Sequence, residues 1–240
     1  MSVLPNQLAF SADFEFAALE LAVNYRAALL REFAPYLKGR VLEIGAGIGQ
    51  ITAALAAVPA VQEVVAVEPE ARFCEQFRRL HPQLKLIPGT IASLGSDSEW
   101  DSLVCINVLE HICDDLGELT AFQTRLAPCK GYLNLFVPAR AEIYAPIDRS
   151  FGHFRRYNKP QLRRLLEDAG FEIIRLDYFN LVGYFAWWLN FVLRKKQRFD
   201  AGSVALFDRS IFPAMHWLER KVIRPPFGQS LIAVARAQTA

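Results

Sequence analysis

The chain has 240 residues, and 52% of them are hydrophobic, which is enough to bury a sizeable core and excludes a largely disordered protein. Its 27 basic and 25 acidic residues give a formal net charge of +2, a balance that argues against nucleic acid as a partner. The four cysteines form no C-x-x-C pair, and acids interrupt the first thirty residues, so we expect reduced thiols, no signal peptide and a cytoplasmic protein.

The first element predicted along the chain is a long helix from about Asp13 to Leu37. Gly39, just past its end, is a stop signal for the helix. Strand and helix patterns then alternate. The predicted strands are Arg40–Ile44, Glu63–Glu68, Leu84–Pro88, Ser102–Ile106, Tyr132–Val137, Phe171–Tyr178 and Ser230–Arg236. The predicted helices between them are Gln50–Val58, Ala71–His81, Gly117–Leu126 and one that follows Asn158 and ends at Gly170.

This alternation predicts an α/β fold with a doubly wound, mainly parallel sheet of seven strands and helices on both faces. Without an internal repeat or a low-complexity linker, residues 1–240 are predicted to form a single domain. Its parts are an N-terminal helix (1–38), a core (39–178), an aromatic-rich insertion (179–229) and the last strand (230–240).

The insertion before the last strand contains two aromatic-rich segments, Tyr184–Leu193 and Ile211–Val222. A basic run of Arg194, Lys195, Lys196 and Arg198 follows the first. The first segment is shorter than a membrane span and has polar breaks, which disfavours a transmembrane helix. Three alternatives remain open: a lid over a substrate pocket, a homodimer surface, or a peripheral membrane contact through residues 178–198.

A glycine-rich motif, VLEIGAGIGQ, joins the first strand to the next helix at residues 41–50. Ligands of such folds bind at this edge of the sheet, where glycines let the backbone turn sharply and approach a ligand. Glu68 closes the second strand, nineteen residues after Gly49, where a carboxylate can accept hydrogen bonds from ribose hydroxyls.

The spacing of this motif separates it from a dinucleotide site. The dinucleotide fingerprint is G-x-G-x-x-G, whereas here the glycines are spaced G-x-G-x-G and Gln50 follows them. Glu43 also precedes the first glycine by two residues. An acid there suits a cationic ligand and would repel a pyrophosphate.

These residues carry a family resemblance. Glu43–Gly49 resembles motif I of the class I S-adenosylmethionine-dependent methyltransferases, VEP at 67–69 resembles the acid after their second strand, and NVLEHI at 107–112 resembles the segment after their fourth. Asn24 to Ala235 is similar to a bacterial small-molecule subgroup of these enzymes (methyltransferase type 11/12-like), including GHFRRY at 152–157 and PFGQSL at 226–231.

The resemblance implies a Rossmann-like fold and S-adenosyl-L-methionine as cofactor, and we predict no metal ion. It implies cofactor-binding roles for Glu43, Gly45, Gly47, Gly49, Glu68, Thr90, Ile91 and Asn107. Thr90 stands where many relatives carry an aspartate that binds the adenine amino group, so this contact is expected from a hydroxyl or the backbone instead.

Candidate catalytic and substrate-binding residues follow two strands. His111, after the fourth strand, and His153, after the fifth, are candidate general bases, and a base is required when the acceptor is a hydroxyl. The predicted substrate-binding residues are Tyr144, Asp148, Arg155, Arg156 and Tyr157. The arginines could hold an anionic group of a small-molecule acceptor, or pairing of one of them with Asp148 could pin the loop.

The sequence therefore predicts a methyltransferase acting on a small molecule or a glycan or lipid precursor, most simply at oxygen. Two alternatives remain: a non-catalytic protein that retains the fold, and a nucleotide-dependent oxidoreductase. Nucleic-acid methylation is disfavoured by the charge and by the absence of an Asn-Pro-Pro-aromatic motif after the fourth strand.

Overall fold

Strands and helices alternate along the part of the chain that the computed structural model describes, residues 21–95, 99–196, 198, 200–221 and 225–239. The strands in this part are β1 Gly39–Ile44, β2 Val61–Glu68, β3 Lys85–Pro88, β4 Ser102–Ile106, β5 Tyr132–Pro138, β6 Phe171–Phe179 and β7 Ser230–Ala237. The α-helices are α1 Val23–Phe33, α2 Gln50–Ala56, α3 Ala71–Leu80, α4 Asp115–Leu126, α5 Pro146–Ser150, α6 Lys159–Asp168, α7 Leu181–Trp187, α8 Ala201–Leu206 and α9 Phe212–Lys221.

The seven strands form one sheet in the order β3-β2-β1-β4-β5-β7-β6. Neighbouring strands from β3 to β5 are parallel. The order reverses direction between β1 and β4, and in doubly wound sheets ligands bind beside such a switch point, at the carboxyl ends of the strands. The predicted α/β, Rossmann-like fold is confirmed.

The last strand runs against its neighbours. Ala139 N–H donates to Gln229 O at one end of β5, and Ala237 N–H donates to Gly131 O at the other. Residue numbers therefore rise along one strand as they fall along the other. Backbone hydrogen bonds at the two ends of β6 show the same relation, so β7 is antiparallel to both β5 and β6.

The core lies along the central strands, where runs of consecutive, mostly apolar residues are buried. Val41–Ile44 of β1 and Leu103–Cys105 of β4 are buried at every position, and β5 is buried after its first residue. Continuous burial, in place of alternation, is what a parallel strand covered on both faces requires.

The chain divides into two compact units. Of the described residues, the sheet unit comprises those within Leu30–Val137, Lys159–Asp177 and Ile232–Ala240, and the helical unit those within Met1–Leu29, Pro138–Asn158 and Tyr178–Leu231. Each unit is assembled from segments that are far apart in sequence. The count of one domain for residues 1–240 stays a prediction.

The first predicted helix is shorter in the structure than in the sequence interpretation. Helix α1 begins at Val23 and ends at Phe33, and Ala34–Tyr36 forms a tighter 3-10 turn. Pro35 explains the early end, because proline restricts the residue before it and lacks the N–H that would continue the helix. The predicted segment from Asp13 to residue 20 lies outside the described residues.

The insertion is helical, and its second helix begins at Ala201, ten residues before the second aromatic-rich segment. Helix α7 continues through a π-helical turn, Trp188–Leu193, and α8 continues into α9 through another, Phe207–Ile211. The sequence interpretation missed Ala201–Leu206 because this segment lacks aromatic residues, although Asp200 caps it by accepting a hydrogen bond from Ser203 N–H (2.7 Å). Among the described residues, no helix is both long and apolar enough to cross a membrane.

Buried carboxylates fix helix starts in the helical unit. Asp208 accepts hydrogen bonds from the backbone N–H groups of Asn24 (2.9 Å) and Tyr25 (2.8 Å) at the start of α1. Glu219 of α9 does the same for Asn180 (3.1 Å) and Leu181 (2.8 Å) at the start of α7. A carboxylate there satisfies N–H groups that have no partner within the helix and complements the helix dipole.

Candidate functional site

The loop after β1 turns through three glycines with left-handed backbone, at φ 72° for Gly45, 55° for Gly47 and 89° for Gly49. The loop is attached to β2, because Gly45 and Ala46 both donate backbone hydrogen bonds to Val67 O, at 2.8 and 3.1 Å. Gly49 immediately precedes α2. The turn therefore holds backbone N–H groups at the carboxyl edge of the central strands.

Two of these glycines are required by close packing as well as by their backbone angles. A Cβ on Gly45 would lie 2.2 Å from a methyl group of Val108, and one on Gly49 would lie 2.7 Å from the Phe77 ring. Both distances are far below van der Waals contact, so protein side chains occupy these positions. The predicted cofactor roles of the two glycines stay predictions, and the packing residues Val108 and Phe77 were missed by the sequence interpretation.

Glu68 connects the glycine loop to the end of β2. Its carboxylate accepts hydrogen bonds from Gly47 N–H at one oxygen (2.8 Å) and from Glu70 N–H at the other (2.9 Å). Burial raises the pKa of Glu68, and these two N–H groups oppose the rise without cancelling it. A carboxylate oxygen offers two lone pairs, so each oxygen of Glu68 retains one for a further donor.

Glu43 is buried beneath the loop, with 4% of its surface exposed. Thr52 of α2 donates its hydroxyl to a Glu43 carboxylate oxygen at 2.5 Å. Burial raises the pKa of Glu43 to about 8, the Thr52 hydrogen bond lowers it, and the negative charge of Glu68 raises it further. The carboxyl is therefore mostly neutral at pH 7, whereas the sequence interpretation treated it as a negative charge.

The residues predicted to contact adenine follow β3 and lie beside Glu68. Gly89 N–H donates to the backbone oxygen of Glu68 (2.9 Å), and Thr90 N–H donates to the hydroxyl of Ser93 (3.2 Å). Thr90 is exposed and Ile91 is buried. A hydroxyl and an apolar side chain are thus placed at the end of the strand next to the carboxylate.

Two further predicted residues follow β4, the strand beside β1. Asn107 adopts a left-handed conformation (φ 53°) and donates its backbone N–H to Phe136 O at 2.9 Å. His111 ends a 3-10 turn, Leu109–His111, and is partly buried. Glu110 in the same turn is fully buried. Burial of the Cys105 thiol raises its pKa well above the ordinary value, and the charge of Glu110 is the next largest cause of this rise.

The helical unit contains a second cluster, centred on the fully buried Asp148. One carboxylate oxygen accepts from Arg156 Nε (2.8 Å) and lies 3.1 Å from His153 Nδ1, and the other accepts from Ala145 N–H (2.8 Å). Burial alone would raise the pKa of Asp148, but its bonds to His153, Arg156 and Ala145 outweigh burial and lower the pKa. Asp148 is therefore a negative charge fixed by a buried arginine.

The other predicted substrate residues have different surroundings in this unit. Arg156 also donates to Ala139 O (3.2 Å), and its guanidinium lies 4.3 Å from the centre of a Trp187 ring. The Tyr144 hydroxyl donates to the backbone oxygen of His153 (2.7 Å). The fully buried Tyr157 and the partly buried Arg155 complete the set.

The structure thus brings the predicted residues together in two groups. Within the sheet unit, the glycine loop, Glu43 and Glu68 form one connected set, with Thr90 and Ile91 beside it. Within the helical unit, Tyr144, Asp148, His153 and Arg156 form another. The pairing of Asp148 with an arginine, which the sequence left open, is present.

Comparisons with known proteins identify a matching family and similar folds. A family model described as a methyltransferase domain matches residues 18–176. A search of curated protein sequences finds no significant match.

Three solved structures illustrate the structural likeness. One is a methyltransferase of Haloferax volcanii in complex with the Trm112 methyltransferase activator, with 16% identity, a TM-score of 0.65, and coverage of 99% of this chain and 100% of that one. A second, from Bacillus halodurans, has 22% identity and a TM-score of 0.61, covering 89% and 99%. The third, a SAM-dependent methyltransferase from Archaeoglobus fulgidus, has 18% identity and a TM-score of 0.55, covering 86% and 90%. At these identities the likeness establishes the fold.

Proposed function

This chain belongs to the methyltransferase-domain family, and we propose that it methylates a hydroxyl group of a small molecule or of a glycan or lipid precursor. The class I family uses S-adenosylmethionine as its methyl donor. Membership of this family makes the protein a methyltransferase in place of the nucleotide-dependent oxidoreductase considered above. The acceptor and the atom that is methylated belong to the proposal.

The sheet unit fits the donor. When bound, S-adenosylmethionine supplies a methyl group whose carbon–sulfur bond breaks as the acceptor oxygen attacks, leaving S-adenosylhomocysteine. In the proposal, Glu68 holds the two ribose hydroxyls with the lone pair that each of its oxygens retains. Ile91 provides an apolar surface for adenine and Thr90 a hydroxyl. Asn107 is proposed to contact the cofactor, as the sequence predicts.

Glu43 has a different role from the other donor-binding residues, because burial keeps it mostly neutral at pH 7. A cationic ligand group near the loop favours the ionised carboxylate, since an opposite charge stabilises it. We expect Glu43 to release its proton when the cationic end of the donor binds. The site then carries its negative charge only when a cation is there to balance it.

The pairing of Asp148 with His153 is the observation that carries the choice of a hydroxyl acceptor. An ionised Asp148 can only accept hydrogen bonds, so the His153 Nδ1 facing it at 3.1 Å carries a proton. A neutral imidazole protonated at Nδ1 carries its lone pair at Nε2, the atom that would act as the base. Asp148 is a positioning residue here, because it fixes the tautomer and orientation of His153.

A base is useful for some acceptors and unnecessary for others. A hydroxyl carries a proton at neutral pH, and His153 Nε2 would take it as the oxygen attacks the methyl group. A carboxylate acceptor needs no such base. The buried Arg156 charge serves to hold Asp148, so Arg155 retains the proposed role of binding an anionic group of the acceptor. Tyr144 and Tyr157 would support the same loop.

The test is methyl transfer from radiolabelled S-adenosylmethionine to a panel of phenols, sugar derivatives, carboxylates and amines, with the wild type and two variants, His153→Gln and His111→Gln. The proposal predicts transfer to hydroxyl compounds and a fall in kcat for His153→Gln of about a hundredfold or more, with little change in KM. Transfer only to carboxylates or amines would contradict it. Loss of kcat in His111→Gln alone would move the base to His111.

A further inference from the structure

One side of the insertion presents apolar side chains to the solvent. Phe185, Trp188, Leu189 and Leu193 are between 37% and 58% exposed. Their spacing of three, four and eight residues places them on one face of the helix that runs through α7 and its π-helical turn. The opposite face packs into the unit through Trp187, which is buried. The helix is therefore apolar on two sides, and within the part of the chain that the structure describes only one of them is covered.

The exposed face is held in a fixed position. The Trp187 indole N–H donates to Ile143 O at 3.1 Å, and its ring lies 4.6 Å from that of Phe191. The carboxylate of Glu219 holds the start of the helix, as described above. An exposed apolar face on an anchored helix is characteristic of a binding surface, because little further ordering is needed when a partner binds.

The charges in the sequence from this face to residue 198 are all positive. Residues 181–198 contain four basic residues and no acid. Arg194, Lys195, Lys196 and Arg198 follow the apolar face directly and are exposed. Apolar and aromatic side chains beside a basic group are the combination that binds anionic lipid, where apolar groups enter the acyl boundary and bases contact the headgroups.

The second helix of the insertion has the same character. Leu206, Ile211 and Trp217 are between 43% and 63% exposed. Arg209 and Arg220 are exposed on the same segment. Both helices of the insertion thus combine exposed apolar groups with basic ones.

We propose that the face formed by Phe185, Trp188, Leu189 and Leu193 docks the enzyme on a membrane surface that contains anionic lipid, together with the basic residues Arg194, Lys195, Lys196 and Arg198. Residues 181–193 span about 20 Å, against about 30 Å for the hydrocarbon core, so the helix lies in the interface plane. A second copy of the chain fits less well. Lysine is depleted in protein interfaces, and Lys195 and Lys196 adjoin this face.

The experiment is co-sedimentation of the full chain with vesicles of phosphatidylcholine alone, or with phosphatidylglycerol at two to one. Two double variants test the two parts of the surface: Arg194→Glu/Lys196→Glu and Phe185→Ser/Leu193→Ser. The wild type binds only the anionic vesicles, and added salt releases it. Each variant lowers the partition coefficient at least about tenfold.

Matched controls place the same changes elsewhere on the surface. Arg78→Glu/Arg79→Glu and Leu80→Ser/Ile174→Ser alter exposed residues of the sheet unit and keep wild-type vesicle binding. Circular dichroism and calorimetric titration with S-adenosylhomocysteine confirm that every variant is folded.

Absence of wild-type binding to anionic vesicles, or equal loss in the controls, overturns the proposal. So does a wild-type dimer in sedimentation velocity that Phe185→Ser/Leu193→Ser converts to a monomer while vesicles have no effect. That result assigns the face to a second copy of the chain.

Discussion

Replacing Glu43 by glutamine is expected to stabilise the protein at neutral pH. Glutamine has nearly the shape of a protonated glutamate, and its oxygen can still accept the hydrogen bond from Thr52. What the substitution removes is the ionisation equilibrium. In the folded protein the pKa of Glu43 is about 8, against the ordinary value of 4.5 that applies to the unfolded chain.

The size of the effect follows from these two pKa values. A folded pKa above the unfolded one means that folding takes up a proton, so the stabilising contribution is complete below pH 4.5 and is lost as the pH rises towards 8. Compared with a side chain that is neutral in both states, protonating Glu43 on folding lowers the free energy of unfolding by about 1 kcal/mol at pH 5 and about 3 kcal/mol at pH 7. The glutamine variant avoids this cost.

The assay is urea denaturation followed by circular dichroism at pH 5, 6, 7 and 8 for the wild type, Glu43→Gln and the control Glu75→Gln. Glu75 is exposed on α3, so its substitution removes the same charge without a burial effect. The free energy of unfolding of Glu43→Gln should exceed that of the wild type by an amount that grows about 2 kcal/mol from pH 5 to pH 7. Parallel curves for the two proteins would show that Glu43 is ionised in the folded state and would refute the reasoning.

Three further predictions concern the contacts around the two clusters. Gly45→Ala places a Cβ 2.2 Å from Val108 at a left-handed backbone position, and should lower stability by about 1–3 kcal/mol in thermal melts, with partial recovery in Gly45→Ala/Val108→Ala. Full recovery would assign the whole loss to the clash. Asp148→Asn leaves Arg156 as a buried charge without its carboxylate and should cost about 3–5 kcal/mol at pH 7. Because the pKa of Asp148 is lowered on folding, its contribution is present above the ordinary Asp pKa and is lost below it, so the two proteins should converge in stability in acid. Glu68→Gln should weaken S-adenosylhomocysteine binding at least about tenfold in calorimetric titration, and unchanged affinity would remove the ribose role.

The sequence was sufficient to predict the sheet and its glycine turn. Val41–Ile44 and the similar runs in β4 and β5 are short and, apart from Glu43 and Asn134, apolar, a pattern typical of a strand covered on both faces. The glycines of the loop after β1 can be recognised from the sequence, because glycine adopts the left-handed backbone angles of this turn at little cost and other residues do not. Local sequence carries both features, so neither depends on knowing distant partners.

The rest of the site depends on partners that are distant in sequence or on burial. The neutrality of Glu43 arises from its depth and from Thr52, and the requirement for Gly45 arises from Val108, 63 residues further along the chain. Asp148 and Arg156 could be listed as a pair or as separate ligand-binding groups, and only their distance decides in favour of pairing. Helix α8 was missed because Ala, Gly and Ser produce no apolar periodicity.

The antiparallel insertion of β7 between β5 and β6 has a consequence for how the protein is made. Strand β6 ends at Phe179, and its partner β7 begins at Ser230, so 50 residues must be synthesised between the two. While β7 is still inside the ribosome, β5 and β6 cannot pair with the strand that separates them in the finished sheet. A nascent chain therefore exposes two unpaired strand edges, and such edges promote aggregation. Ribosome-bound chaperones that cover apolar strands would have their main effect on this enzyme during that interval of translation.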